Sequence, residues 1–360
     1  MKKVLVAPLN WGLGHATRCM PVIETLQHKG AKVYVASSGQ ALQWLKQACN
    51  DVTFINLPDY NIAYSKNNQA IAVLKTWFKI NKSIANEHKL LLQLQQQYHF
   101  DIVISDNRYG MWHADVLSIF ICHQIQIPVY GFFSWLRKPL LNYHYKKIKK
   151  FNRCWIPDAE TENNLSGIMS HGFKQLLPTN YIGLLSRFVL NDTRLQPIHK
   201  TLLTLGPFQI IVVLSGPEPQ RTMLQQIVSK QLIDSGIKTL VVQGLPNAEQ
   251  IVTVDNITYV SYLNTATLKY WLQHIPVIIC RSGYSTLMDL SALNLKAIVI
   301  PTPGQYEQMY LAQYHHQAGN VWAVNQNRFN LNEAINGYHK TKGFQVSLPL
   351  DYMQFIDEII

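Results

Sequence analysis

The sequence predicts an α/β protein of two Rossmann-like, doubly wound domains facing a cleft, and three observations carry that reading. Strand-like apolar runs alternate with helical patterns along most of the chain, the mark of parallel α/β layers. The alternation lapses in a polar stretch from Phe188 to Pro207 and then starts again. The 360 residues also exceed what one hydrophobic core usually supports. The division that follows is an N-terminal domain over 1–190, a C-terminal domain over 191–345, and a tail over 346–360 that packs back on the first domain.

In the first half, strands are expected at Lys3–Asn10, Lys32–Ser37, Thr53–Leu57, Asp101–Ser105, Pro128–Phe133 and Arg153–Ile156. Helices are expected between them at Ala16–Lys29, Ala41–Ala48, Ala70–Gln97 and Met111–Gln124. In the second half the strands are Phe208–Leu214, Lys238–Val242, Ile257–Tyr262, Val277–Cys280, Lys296–Ile300 and Val321–Val324. The intervening helices are Arg221–Ile233, Thr265–Gln273, Ser285–Leu293 and Glu307–Ala318. Two such sheets place a cleft between the carboxyl ends of their strands, where these folds take ligands.

Composition narrows the class. Five scattered cysteines with no CxxC pair fit a reducing, cytoplasmic setting and speak against a disulfide framework or a zinc site. The apolar start is too short for a signal peptide and reads as a first strand. The formal charge of +11 is concentrated between Asp115 and Asp158, where no acidic residue occurs. Arg137, Lys138, Lys146, Lys147, Lys149, Lys150 and Arg153 there interleave with aromatics from Phe132 to Trp155. A basic and aromatic surface over 132–155 suits an anionic membrane or a nucleic acid; the plain alternative is a solvated helix face beside a strand that buries its aromatics.

The first strand runs into Asn10-Trp-Gly-Leu-Gly-His15. Gly12 and Gly14 permit a tight turn and close approach to a ligand, and the helix start that follows favours anions. The dinucleotide fingerprint is not met, because Thr17 stands where the third glycine would fall. His15 sits at the positive end of the helix, which disfavours protonation, so it can take a proton from a hydroxyl near neutral pH. It can equally cap the helix or pack between domains. Asp106, at the end of a strand, is either a partner that fixes the tautomer of His15 or a turn residue.

In the second half, Val277–Cys280 runs into Arg281-Ser-Gly-Tyr-Ser-Thr286, whose small and hydroxylated residues at a helix start can supply amides and hydroxyls to a diphosphate. Asp289 lies one turn on, placed for ribose hydroxyls. Glu307 and Gln308 open the next helix at the same cleft edge, placed for a sugar. Each alone also reads as an ordinary helix-end residue.

Taken together, Gly12-Leu-Gly-His15, Arg281-Ser-Gly, Ser285-Thr286, Asp289, Pro301 and Glu307-Gln308 resemble the signature of inverting GT-B glycosyltransferases. The group they are most similar to comprises the lipid II-forming N-acetylglucosaminyltransferase and the diacylglycerol galactosyltransferases. The resemblance implies His15 as general base and a uridine-diphosphate sugar as donor substrate, with no separate cofactor. It places Ser282, Gly283, Ser285 and Thr286 at the diphosphate, Asp289 at the ribose, and Glu307 and Gln308 at the donor sugar, and counts Arg281 among the donor-binding residues. It adds Ser215 and Gly216 as a second phosphate-side loop and Leu263 at the base. Three departures bear on donor identity: Asp289 stands for a glutamate, Leu311 for an asparagine, and the first turn is less glycine-rich.

No Asp-x-Asp motif occurs, so amides and helix ends rather than a metal would carry the leaving charge. Relatives that retain configuration carry an acid eight positions before the helix carboxylate, where this chain has Arg281, which favours inversion. Gly12-Leu-Gly-His-Ala-Thr-Arg18-Cys19 also resembles the opening of nucleotide-sugar hydrolases, so hydrolysis or epimerisation in the same cleft is a second reading. A non-catalytic membrane- or nucleic-acid-binding module is the third, and it leaves both helix-end motifs unexplained. On the first reading the acceptor is unknown and suits a lipid-linked molecule at the inner face of the membrane, with no nucleic acid expected.

Overall fold

The computed structural model describes residues 1–60, 69–126, 135, 137–173, 177–189, 200–246, 248, 250–345 and 351–360. The expected strand Pro128–Phe133 and the middle of the expected linker lie outside them.

The first sheet comprises β1 (Lys3–Pro8), β2 (Lys32–Ser37), β3 (Thr53–Asn56), β4 (Ile102–Asp106), β5 (Leu117–Ile121), β6 (Arg153–Ile156) and β7 (Thr179–Tyr181). Its order is β3-β2-β1-β4-β5-β6-β7, with every pair parallel. The helices of this half are α1 (Gly14–His28), α2 (Gly39–Ala48), α3 (Gln69–Tyr98) and α4 (Arg137–Ile148). After α5 (Lys200–Leu205) come β8 (Ile210–Val213), α6 (Gln220–Ser235), β9 (Thr239–Val242), β10 (Ile251–Val254) and β11 (Ile257–Val260). The chain continues through α7 (Thr265–His274), β12 (Val277–Cys280), α8 (Tyr284–Ala292), β13 (Ile298–Val299), α9 (Tyr306–Gln317), β14 (Trp322–Ala323), α10 (Leu331–Lys340) and α11 (Tyr352–Asp357). The second sheet has the order β10-β11-β9-β8-β12-β13-β14; only the β10–β11 pair is antiparallel.

Burial explains the layering. Side chains alternate across a strand, and β1 is apolar on both faces. Val4 and Val6 pack with Val22, Ile23 and Leu26 of α1, whereas Leu5 and Ala7 pack with Leu91 and Leu94 of α3 on the other side. In the second sheet, Ile210 and Val212 face Leu224, Val228 and Leu232 of α6, while Ile211 joins the core shared with the first half. Both sheets are therefore wound on both faces, as the sequence predicts.

Two expectations change. Residues Met111–Gln124, expected to be helical, contain the strand β5. Ile119 and Ile121 pack on one face and Phe120 on the other, so the segment is an apolar run without a period and imitates a buried helix. The basic block also divides. Arg137, Lys138, Lys146, Lys149 and Lys150 are exposed, and Trp135 is 67% exposed. Phe151 and Trp155, by contrast, are core residues. Phe132 and Phe133 lie outside the described residues. The charge faces solvent and part of the aromatic content does not.

The chain end returns to the first half. Tyr352 and Ile356 of α11 enter the shared core, Lys29 Nζ meets Asp357 at 2.6 Å, and Lys2 Nζ donates to the Ile359 carbonyl at 2.6 Å.

Candidate active site

Each sheet positions one motif at the point where its strand order reverses. Pro8 of β1 is in register with Asp106 of β4, and these neighbours send their chains to opposite sides. The turn from Asn10 to His15 follows β1, and Asp106 ends β4. In the second sheet β8 and β12 are the neighbours, so Ser215-Gly216 and Arg281–Thr286 emerge side by side. Such crevices are where open α/β sheets bind ligands.

Gly12 adopts a φ of +71° and Gly216 of +94°, a backbone region that glycine enters without strain. The turn residue Leu13 and Gly283 precede α1 and α8, and neither helix has a side-chain N-cap. The two helix starts meet: Ser285 Oγ donates to the Gly14 carbonyl at 3.1 Å, and a Cβ on Gly14 would sit 2.8 Å from that oxygen. A side chain at Gly14 would have to displace the Ser285 hydroxyl that joins the two helix starts.

His15 is the second residue of α1, with its side chain 14% exposed. Its Nδ1 lies 3.1 Å from Asp106 Oδ1 and 2.9 Å from Arg18 Nη2. One nitrogen cannot donate to the carboxylate and accept from the guanidinium at once. The first arrangement leaves the Nε2 lone pair for chemistry, and Nε2 has no partner among the described residues. Arg18, one turn further along α1, donates Nε to Asp106 Oδ2 at 2.7 Å and Nη2 to Oδ1. Its Nη1 reaches His123 Nδ1 at 2.8 Å. Because a guanidinium only donates, that nitrogen of His123 accepts, and its Nε2–H donates to Glu307 Oε1 at 3.1 Å across the cleft. The His123 ring lies flat on Tyr284, 4.0 Å between centroids.

The electrostatics follow from burial and these partners. Burial lowers the His15 pKa from 6.5, Asp106 opposes that, and Arg18 adds to it. Burial would raise the Asp106 carboxyl, but Arg18 and then His15 hold it well below its ordinary value. Glu307 behaves likewise: burial is outweighed by His123, His15 and Arg18, and its pKa falls.

The sequence-predicted residues divide into two groups. His15, Asp106, Gly14, Ser285 and Glu307 converge on one spot; Gly12, Ser215, Gly216 and Gly283 lie on the strand-to-helix turns, and Thr286 in the first turn of α8. Leu263 is buried, three residues beyond the end of β11. The other side chains are occupied by the protein itself. Arg281 is fully buried and donates to the Ile300, Pro301 and Gln220 carbonyls, and burial lowers its pKa to about 10. Its guanidinium is a strut within the second domain. Ser282 Oγ donates to the Gln308 carbonyl, and the Gln308 side chain holds Thr302 N and Gln305. Asp289, expected at a ribose, accepts from Ser186 Oγ at 2.5 Å and faces Arg187. Burial raises its pKa despite Arg187.

Sequence reasoning missed His123 as a site residue. The signal was its place two residues beyond β5, hidden by the helical reading of that segment. Arg18 showed itself only as part of the opening motif, although three residues after His15 it shares a helix face with it.

Comparison with known proteins gives the class of the fold. Residues 194–345 match the glycosyltransferase family 28 C-terminal domain, and residues 3–132 match glycosyl transferase family 1. Among solved structures, the calicheamicin glycosyltransferase CalG4 is similar over 100% of this chain and 94% of its own, with a TM-score of 0.65 and 11% identity. The spinosyn rhamnosyltransferase SpnG, solved with thymidine diphosphate, covers 100% and 96%, with a TM-score of 0.62 and 16% identity. MurG of Acinetobacter baumannii covers 100% and 99%, with a TM-score of 0.56 and 15% identity. Among curated proteins no match was found. The chain is a glycosyltransferase of the GT-B fold, and its second half is similar to the family 28 C-terminal domain. The resemblance read from its motifs is borne out, and its activity is sugar transfer.

Proposed function

We propose that the enzyme transfers a sugar from a uridine-diphosphate donor to a hydroxyl acceptor with inversion and without a metal. The observation that carries this is the His15–Asp106 pair standing against the start of α8, with Gly14 and Ser285 bonded at 3.1 Å. A donor whose diphosphate meets the uncapped amides of α8 and the turn at Ser215-Gly216 would present its anomeric carbon toward α1. The acceptor hydroxyl then gives its proton to His15 Nε2, and the oxygen attacks as the diphosphate leaves on the opposite side. Asp106 stabilises the resulting imidazolium. The thymidine diphosphate in the SpnG structure supports a nucleoside diphosphate in this fold.

The test has two parts. Uridine diphosphate and its sugar esters should raise the melting temperature of wild type and His15→Ala alike. With the stabilising donor and a membrane lipid extract as acceptor source, His15→Ala should lose about 10²- to 10⁴-fold in transfer. Undiminished transfer would make the base assignment wrong. Sugar release from donor alone at the rate of transfer would favour a hydrolase.

The acceptor reading rests on α4 and its neighbours. The exposed cations Arg137, Lys138, Lys146, Lys149 and Lys150 suit an anionic membrane surface at the inner leaflet, with a lipid-linked acceptor. Among the described residues no helix is long and apolar enough to cross a membrane, so this would be a peripheral contact. Sedimentation with liposomes should depend on anionic lipid and weaken with salt. Equal binding to neutral vesicles would reject it.

A further inference from the structure

The third charged member of the His15 cluster has a task of its own. Asp106 is fully buried, and every group facing it can be named. From α1 come His15, Arg18 and Cys19, whose Sγ lies 3.4 Å from Oδ2, and just after β5 comes the buried thiol of Cys122. His123, beyond β5, reaches it only through Arg18, and Glu307 of α9 lies beyond His123. Arg18 is itself 2% exposed and meets Asp106 through two nitrogens, one to each carboxylate oxygen. The pair is a planar, two-point contact of the kind an arginine makes best.

A buried carboxylate with no other countercharge would draw a proton onto the neighbouring imidazole and keep it there. The histidine would be well oriented and useless as a base. We propose that Arg18 is a positioning residue that neutralises Asp106, so that the carboxylate orients His15 without holding it protonated. This rests on the reading of His15 as the base. The bond from Arg18 Nη1 to His123 fixes the third nitrogen of the guanidinium, and Glu307 fixes His123 in turn, so the compensating charge is held from the second domain as well. The lowered pKa of His15 accords with this arrangement.

The experiment is an NMR titration of the full-length protein labelled in its histidine rings, with the His15 signal identified by its loss in His15→Gln. In wild type, His15 should titrate below pH 6.5. Arg18→Gln should raise that midpoint by about one unit or more, since one opposing charge is removed at contact distance. Arg18→Lys should recover most of the shift. Asp106→Asn should move the midpoint down, and the double variant Arg18→Gln/Asp106→Asn should return within about half a unit of wild type. A general loosening of the helix would not produce shifts of opposite sign that cancel. An unmoved midpoint in Arg18→Gln overturns the proposal. If that variant does not fold, an unmoved midpoint in Asp106→Asn overturns it equally. The titration needs no turnover, so it can fail while His15→Ala still abolishes transfer, and the reverse holds as well.

Discussion

Two buried carboxylate–arginine pairs flank the end of β4, and they are built for opposite purposes. Arg108 and Glu87 form one pair, and Asp106 and Arg18 form the other; each of the four is at most 2% exposed. Asn107 between them has a φ of +58°, and the chain turns there. In the first pair every strong group is answered. Glu87 accepts from Arg108 Nη1 at 2.5 Å, Tyr60 at 2.7 Å and Gly110 N at 3.0 Å. Arg108 also donates to the Pro8 carbonyl and to Ser38 Oγ, so it ties the ends of β1, β2 and β4 together. The second pair has the same chemistry but holds a histidine whose Nε2 has no partner among the described residues. Saturation makes a brace, and one open position makes a site.

The comparison can be broken by measurement, the largest effect first. His15→Ala should remove about 10²- to 10⁴-fold of transfer while leaving the unfolding midpoint close to wild type, because a half-buried side chain at a helix start carries little of the core. Glu87→Ala should do the reverse. It strands the buried Arg108 charge, so chemical denaturation should show a loss of about 3–5 kcal/mol, with transfer per folded molecule retained. A stability unchanged in Glu87→Ala would show that the pair does not brace the ends of these strands. The smallest effect is in pH. A histidine acting as base works when neutral, and burial and Arg18 lower the pKa of His15 from 6.5. The rate kcat/KM should therefore stay level as pH falls from 8 through 6.5 and decline only below it. A decline already centred above pH 7 would contradict the compensated environment of Asp106.

Much of this architecture was legible because it is local. The strands Lys32–Ser37, Arg153–Ile156 and Val277–Cys280 were bounded to the residue, since β-branched apolar runs ended by turn residues have few other solutions. The turn at Gly12–His15 was legible for the same reason. What could not be read was long-range partner choice. Arg18 finds Asp106 across 88 positions, and His123 finds Glu307 across 184. Arg281 and Asp289 look like ligand residues in the sequence because their helix start is right, yet carbonyls and Ser186 brought in by the fold occupy their side chains. A motif tells which backbone faces the cleft and does not tell which side chains have already been claimed.

The return of α11 to the first domain has a consequence for synthesis. Domains made on a ribosome tend to fold in order, the first before the second is complete. Here the first domain lacks part of its wall until Tyr352 and Ile356 arrive, after every strand of the second has been made. The half that carries His15 is therefore completed only after the second sheet, and until then a nascent chain keeps an uncovered apolar strip beside α1.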